Sequence, residues 1–280
     1  MRAVDLLAAA ALAALPACGD NKNNGAADMA VAPPDIAKTP NDMAKMPVPT
    51  GGVSGVLRDE AGTPVKGISI LACSATECQY GTTKDDGSFT VPNLKLTDLA
   101  IKTEDDYEAT PKKGAALYPI KLAQANMTID LKDMFVPAIM KTAPFSPSST
   151  MPTMIALDDG ITLTVVGKDL VRNVIADKID YLGARLVPAE RRAPTMTVPG
   201  ETIVASYDLI PFATASKSKI PVTVALKLAP GTPVYFRTVG ELDGKLSDPA
   251  TGKEAQDGLS ASTDVGQGIT NLTWLLVSTK

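Results

Sequence analysis

Histidine is absent from all 280 residues of this chain. Its absence removes the commonest general base, the usual partner of a nucleophilic side chain and the usual transition-metal ligand. Aromatic residues make up only 4% of the chain, with one tryptophan, so side chains that stack on sugar rings are scarce. Basic residues number 27 against 31 acidic ones, a net charge of −4. That balance argues against nucleic acid as a partner, because phosphate binding needs a positive surface. Lys112-Lys113 and Arg191-Arg192 are short basic pairs that read as solvated loop charges. No apolar run reaches the roughly 20 residues that a membrane-spanning helix needs.

What is present begins at the N-terminus. Arg2 supplies a positive end, offset slightly by Asp5, and Leu6 to Leu15 form an apolar Ala/Leu stretch. Small Ala17 then precedes Cys18, completing the three parts of a signal peptide. The rivals are a cytosolic protein with an apolar N-terminal helix and a simple membrane anchor, for which the run is short. The segment Leu15-Pro16-Ala17-Cys18 resembles a bacterial lipobox. The resemblance implies that residues 1–17 are removed and that Cys18 is the lipidation site, carrying diacylglyceryl and N-acyl chains. One acyl chain holds a protein to a bilayer only marginally, whereas several hold it stably. The expected location is therefore the cell envelope, with the membrane as one partner. Gly19 rather than Asp follows the cysteine, which within that resemblance favours the outer over the inner membrane.

The other two cysteines, Cys73 and Cys78, enclose Ser74-Ala75-Thr76-Glu77. An even pair in an oxidising compartment is expected to form a disulfide, here across the mouth of a hairpin loop. A loop this short gains about 2 kcal/mol in the chain-entropy model. The rival readings are a metal or redox pair. Zinc would need two further soft ligands, and a thioredoxin-like motif has two intervening residues rather than four.

Residues 18–51 read as a disordered tether, rich in Asn, Ala, Pro, Met and Asp and without aromatics. Such a composition cannot bury enough surface to offset its ordering entropy. From residue 52 the pattern changes to short strands and turns. Ile68, Ile70 and Ala72 alternate onto one face, and Asp85-Asp86-Gly87 running into Ser88-Phe89-Thr90-Val91 is a local hairpin signal. Met127-Thr128-Ile129-Asp130-Leu131 alternates as a closing strand.

The opening around Val53 and Gly55, then Gly62-x-Pro64-Val65-x-Gly67 and Thr83-x-Asp85-Asp86-Gly87-x-Phe89, together resemble the carboxypeptidase regulatory-like domain. The resemblance covers residues 52–136 and implies a transthyretin-like β-sandwich, similar to starch-binding and Cna B-type modules. It implies little about function, since one sandwich hosts many roles. Residues 137–152, with Pro144, Pro147 and Pro152, read as a second linker. Residues 153–280 read as a second β-rich domain, with alternating strands at 160–166 and 222–228 and turn signals at sandwich-like spacing. The expected fold class is all-β, with two β-sandwich-like domains behind the tether.

Few residues suggest chemistry. Ser216-Lys217-Ser218-Lys219 contains the parts of a Ser-Lys dyad but reads better as a solvated turn. Asp85-Asp86-Gly87 and Asp158-Asp159-Gly160 pair carboxylates, yet neighbours on a strand face opposite ways, and both read as turns with Gly supplying positive φ. The loop acids Asp85-Asp86 and Glu104-Asp105-Asp106 offer oxygen ligands of the type calcium takes, though without EF-hand spacing. Tyr80, Tyr107 and Tyr118 lie near loops of the first body and are candidate ligand-binding residues. Trp274 sits in an apolar strand and reads as core. The expected function is a lipid-anchored, non-enzymatic envelope protein acting in ligand binding, adhesion or scaffolding, with an envelope protein or polysaccharide as partner. A carbohydrate-binding module is the alternative, and a hydrolase that works without histidine ranks third.

Overall fold

In a computed structural model of the chain, residues 50–280 are described. The signal peptide, Cys18 and the tether up to residue 49 lie outside the described residues. The described chain is all-β: 22 strands and three short 3-10 turns, with no α-helix among these residues.

Residues 50–135 build two facing sheets. Thr50–Arg58 lies between Ser88–Lys95, to which it is antiparallel, and Thr128–Phe135, to which it is parallel. Opposite stands an antiparallel sheet in the order Cys78–Thr82, Ser69–Cys73, Asp98–Lys102 and Leu117–Lys121. The inward residues of both sheets, among them Val53, Leu57, Phe89, Val91, Ile70, Ile101 and Met134, share one core. Thr50–Arg58 begins at Thr50, so the first strand takes in residues 50–51, which composition assigns to the tether.

The Asp-Gly turn forms as expected, with Gly87 at φ 75° and its N–H donating to Lys84 O at 2.9 Å. It does not close a hairpin within one sheet. Cys78–Thr82 belongs to the four-stranded sheet and Ser88–Lys95 to the three-stranded one, so the turn is a corner between layers. The local signal specifies the reversal, whereas burial of Phe89, Val91 and Leu94 selects the pairing partner. The disulfide joins Cys73 and Cys78, which face each other across the hairpin with Cα atoms 4.0 Å apart.

The later residues form a ten-stranded antiparallel sheet running from Thr142–Pro144 at one edge to Pro152–Ala156 at the other. A small sheet of Leu170–Val171, Thr214–Ile220 and Ile269–Leu272 accompanies it. Ile161, Leu163 and Val165, near one edge of the large sheet, share a second core with Leu182, Tyr207 and Leu209, near the other. The sheet therefore curls around that core.

The stretch 137–152, expected as a linker, carries the strands Ala138–Ile139 and Thr142–Pro144. Its apolar side chains Ile139 and Phe145 are buried, and Pro144 is tolerated because Thr142–Pro144 is an edge strand. The two bodies are one compact unit. Strand Trp274–Thr279 explains why: Leu275 and Val277 enter the second core, while Trp274 and Leu276 enter the first. A strand buried on both faces reads as a continuous apolar run, which is the Trp274-Leu275-Leu276-Val277 of the sequence.

The Trp274 indole N–H donates to the Ala115 carbonyl at 2.8 Å in a buried contact. Its ring meets Tyr118 edge-on, with centroids 6.4 Å apart. Trp274→Ala is expected to lower unfolding free energy by about 3–5 kcal/mol, measured by urea denaturation followed by circular dichroism. The native full chain is expected to unfold in one transition, and two resolved transitions would show independent bodies. The double variant Cys73→Ala/Cys78→Ala is expected to lose about 2 kcal/mol in the same assay.

Candidate functional site

An open polar surface lies on the outward face of the first three-stranded sheet. Strand alternation sends Val53 and Leu57 to the core and leaves Ser54 and Val56 facing out. The register then sets Ser54 beside Thr90 and Asp130, and Val56 beside Ser88 and Asp133. A register shift between Ser54 and Val56 leaves Lys132 at φ 60°. Its ammonium reaches back to Asp130 at 2.6 Å. Those hydrogen bonds hold the Asp130 carboxyl below its usual range and raise Lys132. Beside them Arg58 pairs with Asp133 at 2.7 Å. The result is a shallow groove of about 480 Å³ presenting hydroxyls and charges of both signs. Chemically it can exchange hydrogen bonds with a hydroxyl-rich or peptide ligand, and it offers no exposed aromatic face.

The three tyrosines singled out in the sequence do not form one platform. Tyr80 is 67% exposed on the outer strand of the four-stranded sheet. Tyr107 packs edge-on against Tyr181, with centroids 6.4 Å apart, and burial holds its hydroxyl well above the ordinary range. Tyr118 is only 2% exposed. Its hydroxyl lies 3.0 Å from the carbonyl oxygens of Asp133 and Arg191 and can donate to either. Tyr118 is thus a core residue, because its strand faces the segment 187–201 rather than solvent.

The remaining candidates serve the fold. Asp86 accepts the Ser88 N–H at 2.9 Å, and Asp106 accepts those of Glu108 and Ala109. Asp159, at φ 55°, accepts the Leu186 N–H at 2.8 Å and pairs with Arg185. Among the described residues no three acidic or cysteine side chains converge as a metal site would require. Ser216 and Lys217 are not in a turn but in strand Thr214–Ile220, where adjacent side chains face opposite ways.

Asp105, one of the loop acids whose type suits calcium, lies instead between the two bodies together with Asp208, which showed no role in the sequence. Asp208 is 0% exposed, and neither of its carboxyl oxygens has a hydrogen-bond partner. Asp105 is buried too. Its Oδ2 accepts the Phe212 N–H at 2.7 Å, and the Tyr107 hydroxyl and Ala115 N–H also favour its charged form, by less than burial opposes it. Gly114 is required at this point, since a Cβ there would fall 1.6 Å from Asp208 Oδ2. One signal was available in the sequence: Asp208 is the lone charge in the run Tyr207-Asp208-Leu209-Ile210-Pro211-Phe212.

No protein-family model matches this chain, and no curated protein matches it. Among solved structures the chain is similar to the full-length major pilin SpaD of Corynebacterium diphtheriae, at 10% identity and a TM-score of 0.26. That match covers 82% of this chain and 55% of the pilin. The Bacillus anthracis TIE protein matches at 10% identity and a TM-score of 0.25, over 83% of this chain and 48% of that one. A DUF3823 family protein from Bacteroides ovatus matches at 11% identity and a TM-score of 0.22, over 63% and 90%. This chain thus spans about half the length of the first two.

Tyr118→Phe is expected to cost about 1–3 kcal/mol by leaving buried carbonyls without their donor. Tyr80→Ala is expected to stay within about 0.5 kcal/mol of the native protein. Chemical denaturation of both variants checks the contrast.

Proposed function

We propose that this is an envelope protein, anchored through lipid on Cys18 in the outer membrane, that binds or adheres without catalysing a reaction. The observation that carries the binding reading is the groove over Ser54, Thr90, Asp130 and Asp133. It places hydroxyls, carboxylates and a lysine on a rigid, solvent-facing sheet, and rigid display is what a binding face requires. The partner is an envelope protein or a polysaccharide. A tether running from Cys18 up to the first strand would hold this face away from the bilayer, in keeping with its composition. In this reading the first body is a carboxypeptidase regulatory-like module put to use as a binding platform.

A carbohydrate-binding role is the second reading. Side-chain hydroxyls and carboxylates in cross-strand rows suit sugar hydroxyls, and Tyr80 is an exposed ring in the same body. The groove's lack of an exposed aromatic face limits the affinity such a site could reach.

Two measurements test the proposal. Cys18→Ala is expected to move the protein from the membrane to the soluble fraction, and retention in the membrane would remove the anchor. In-cell crosslinking of the full chain is expected to give a partner that is lost in the exposed-face variant Thr90→Arg/Asp130→Arg. Unchanged crosslinking in that variant would place the binding face elsewhere, and retention on cell-surface polysaccharide alone would favour the second reading.

A further inference from the structure

We infer that the seam between the two bodies is closed by a protonated carboxyl pair, Asp105 and Asp208, and loosens as those protons are lost. Each acid comes from a different body. Asp105 belongs to the loop after Asp98–Lys102, whereas Asp208 belongs to Thr202–Ile210 of the ten-stranded sheet. Asp105 reaches across to the Phe212 N–H, and Asp208 rests on the backbone of Gly114. The Trp274 indole bond to Ala115 lies one residue further along, and Trp274 is the cross-strand partner of Asp208. The pair is therefore set at the contact that joins the two bodies.

An ionised carboxylate at such a place would need a cation or several N–H donors. The surrounding charges are engaged elsewhere. Arg185, opposite Asp208 on the adjacent strand, is bound through its two terminal nitrogens to Glu60 and Asp159, leaving only its buried Nε without a partner. Lys102 pairs with Glu241 at 2.8 Å, and Lys112 donates to the Tyr107 carbonyl. The other titratable neighbours are Glu104, Tyr107 and Tyr181, of which Glu104 repels a charge on Asp105. Trp274 and Thr214, from the remaining strands, carry no charge. Both oxygens of Asp208 lack a hydrogen-bond partner, and the donors around Asp105, the Tyr107 hydroxyl and the Phe212 and Ala115 N–H groups, do not offset the cost of its burial. Protons fill that need: a protonated carboxyl carries its own donor, and a neighbouring carboxyl can accept it.

Burial accordingly pushes Asp105 up to about 7 from 3.8 and raises Asp208 well above 3.8. Because both folded values are raised, the stability they contribute is complete below the unfolded value of 3.8. It is lost as pH rises through the folded values. Glu104, raised by burial, slopes the same way. Asp86, Asp130 and Glu201 are lowered, so their contribution is lost only in stronger acid. The neutral range thus reports chiefly on the seam.

The experiment is the thermal midpoint of the full chain across about pH 5 to about pH 8. We expect the native midpoint to fall by several degrees over that range. In Asp208→Asn and Asp105→Asn the slope, whatever the offset, is expected to flatten. Should neither variant fold, infrared spectroscopy of the native protein reads the same protons directly: a protonated-carboxyl band is expected at the acidic end and lost on going alkaline. An unchanged slope in the variants, or no such band, would overturn the inference. So would a midpoint at the alkaline end that added calcium restores and a chelator abolishes, because the pair would then be a cation site.

Discussion

The structure depends on one strand having two buried faces. Trp274–Thr279 lies near the middle of the curled ten-stranded sheet and sends alternate side chains into different cores. Its neighbour Thr202–Ile210 is shared in the same way: Tyr207 and Leu209 serve the inner core, while Asp208 faces the first body. Once these strands lack a wet face, the first sandwich must cover them. The indole bond from Trp274 to Ala115 sets where the contact closes, since a buried N–H without an acceptor is costly.

Polar groups at that contact tell the same story at different strengths. Lys102 and Glu241 form a pair across the seam with the lysine almost fully buried and its ammonium 5.4 Å from the Phe212 ring centre. Removing either partner of such a pair would leave a buried charge unanswered. Glu60 and Arg185 make a second crossing nearer the surface. The two aspartates differ from both because no opposite charge answers them, so only their protonation state makes the seam electrostatically tolerable.

The division between core and display follows. Where the first three-stranded sheet faces its partner sheet it is apolar, and where it faces water it carries Ser54, Thr90 and Asp130 in one row. A groove on a sheet held by a sandwich, a disulfide-pinned hairpin and a second body has little freedom to lose when a ligand arrives.

How much was legible in the sequence depended on how local the cause was. The alternation of Ile68, Ile70 and Ala72, the Asp86-Gly87 turn, the spacing of Cys73 and Cys78 and the apolar run from Trp274 are local patterns, and each determined its own strand, turn or bridge. The all-β class follows from them. Other outcomes needed partners distant in the chain. Tyr118 resembles any loop-adjacent tyrosine until segment 187–201 covers it, and residues 137–152 resemble a linker until Ile139 and Phe145 find a core. Ser216 to Lys219 have turn composition, yet they lie within strand Thr214–Ile220, which pairs with Leu170–Val171 and Ile269–Leu272. Asp105 and Asp208 lie far apart in sequence, and neither shows its lack of a counter-charge until the two bodies meet. The sequence by itself determined strand period, turn chemistry and cysteine spacing, because each is decided over a few residues by backbone sterics. Only the tertiary structure decided which faces are buried twice and which charges are stranded there, because burial is a property of the whole packing.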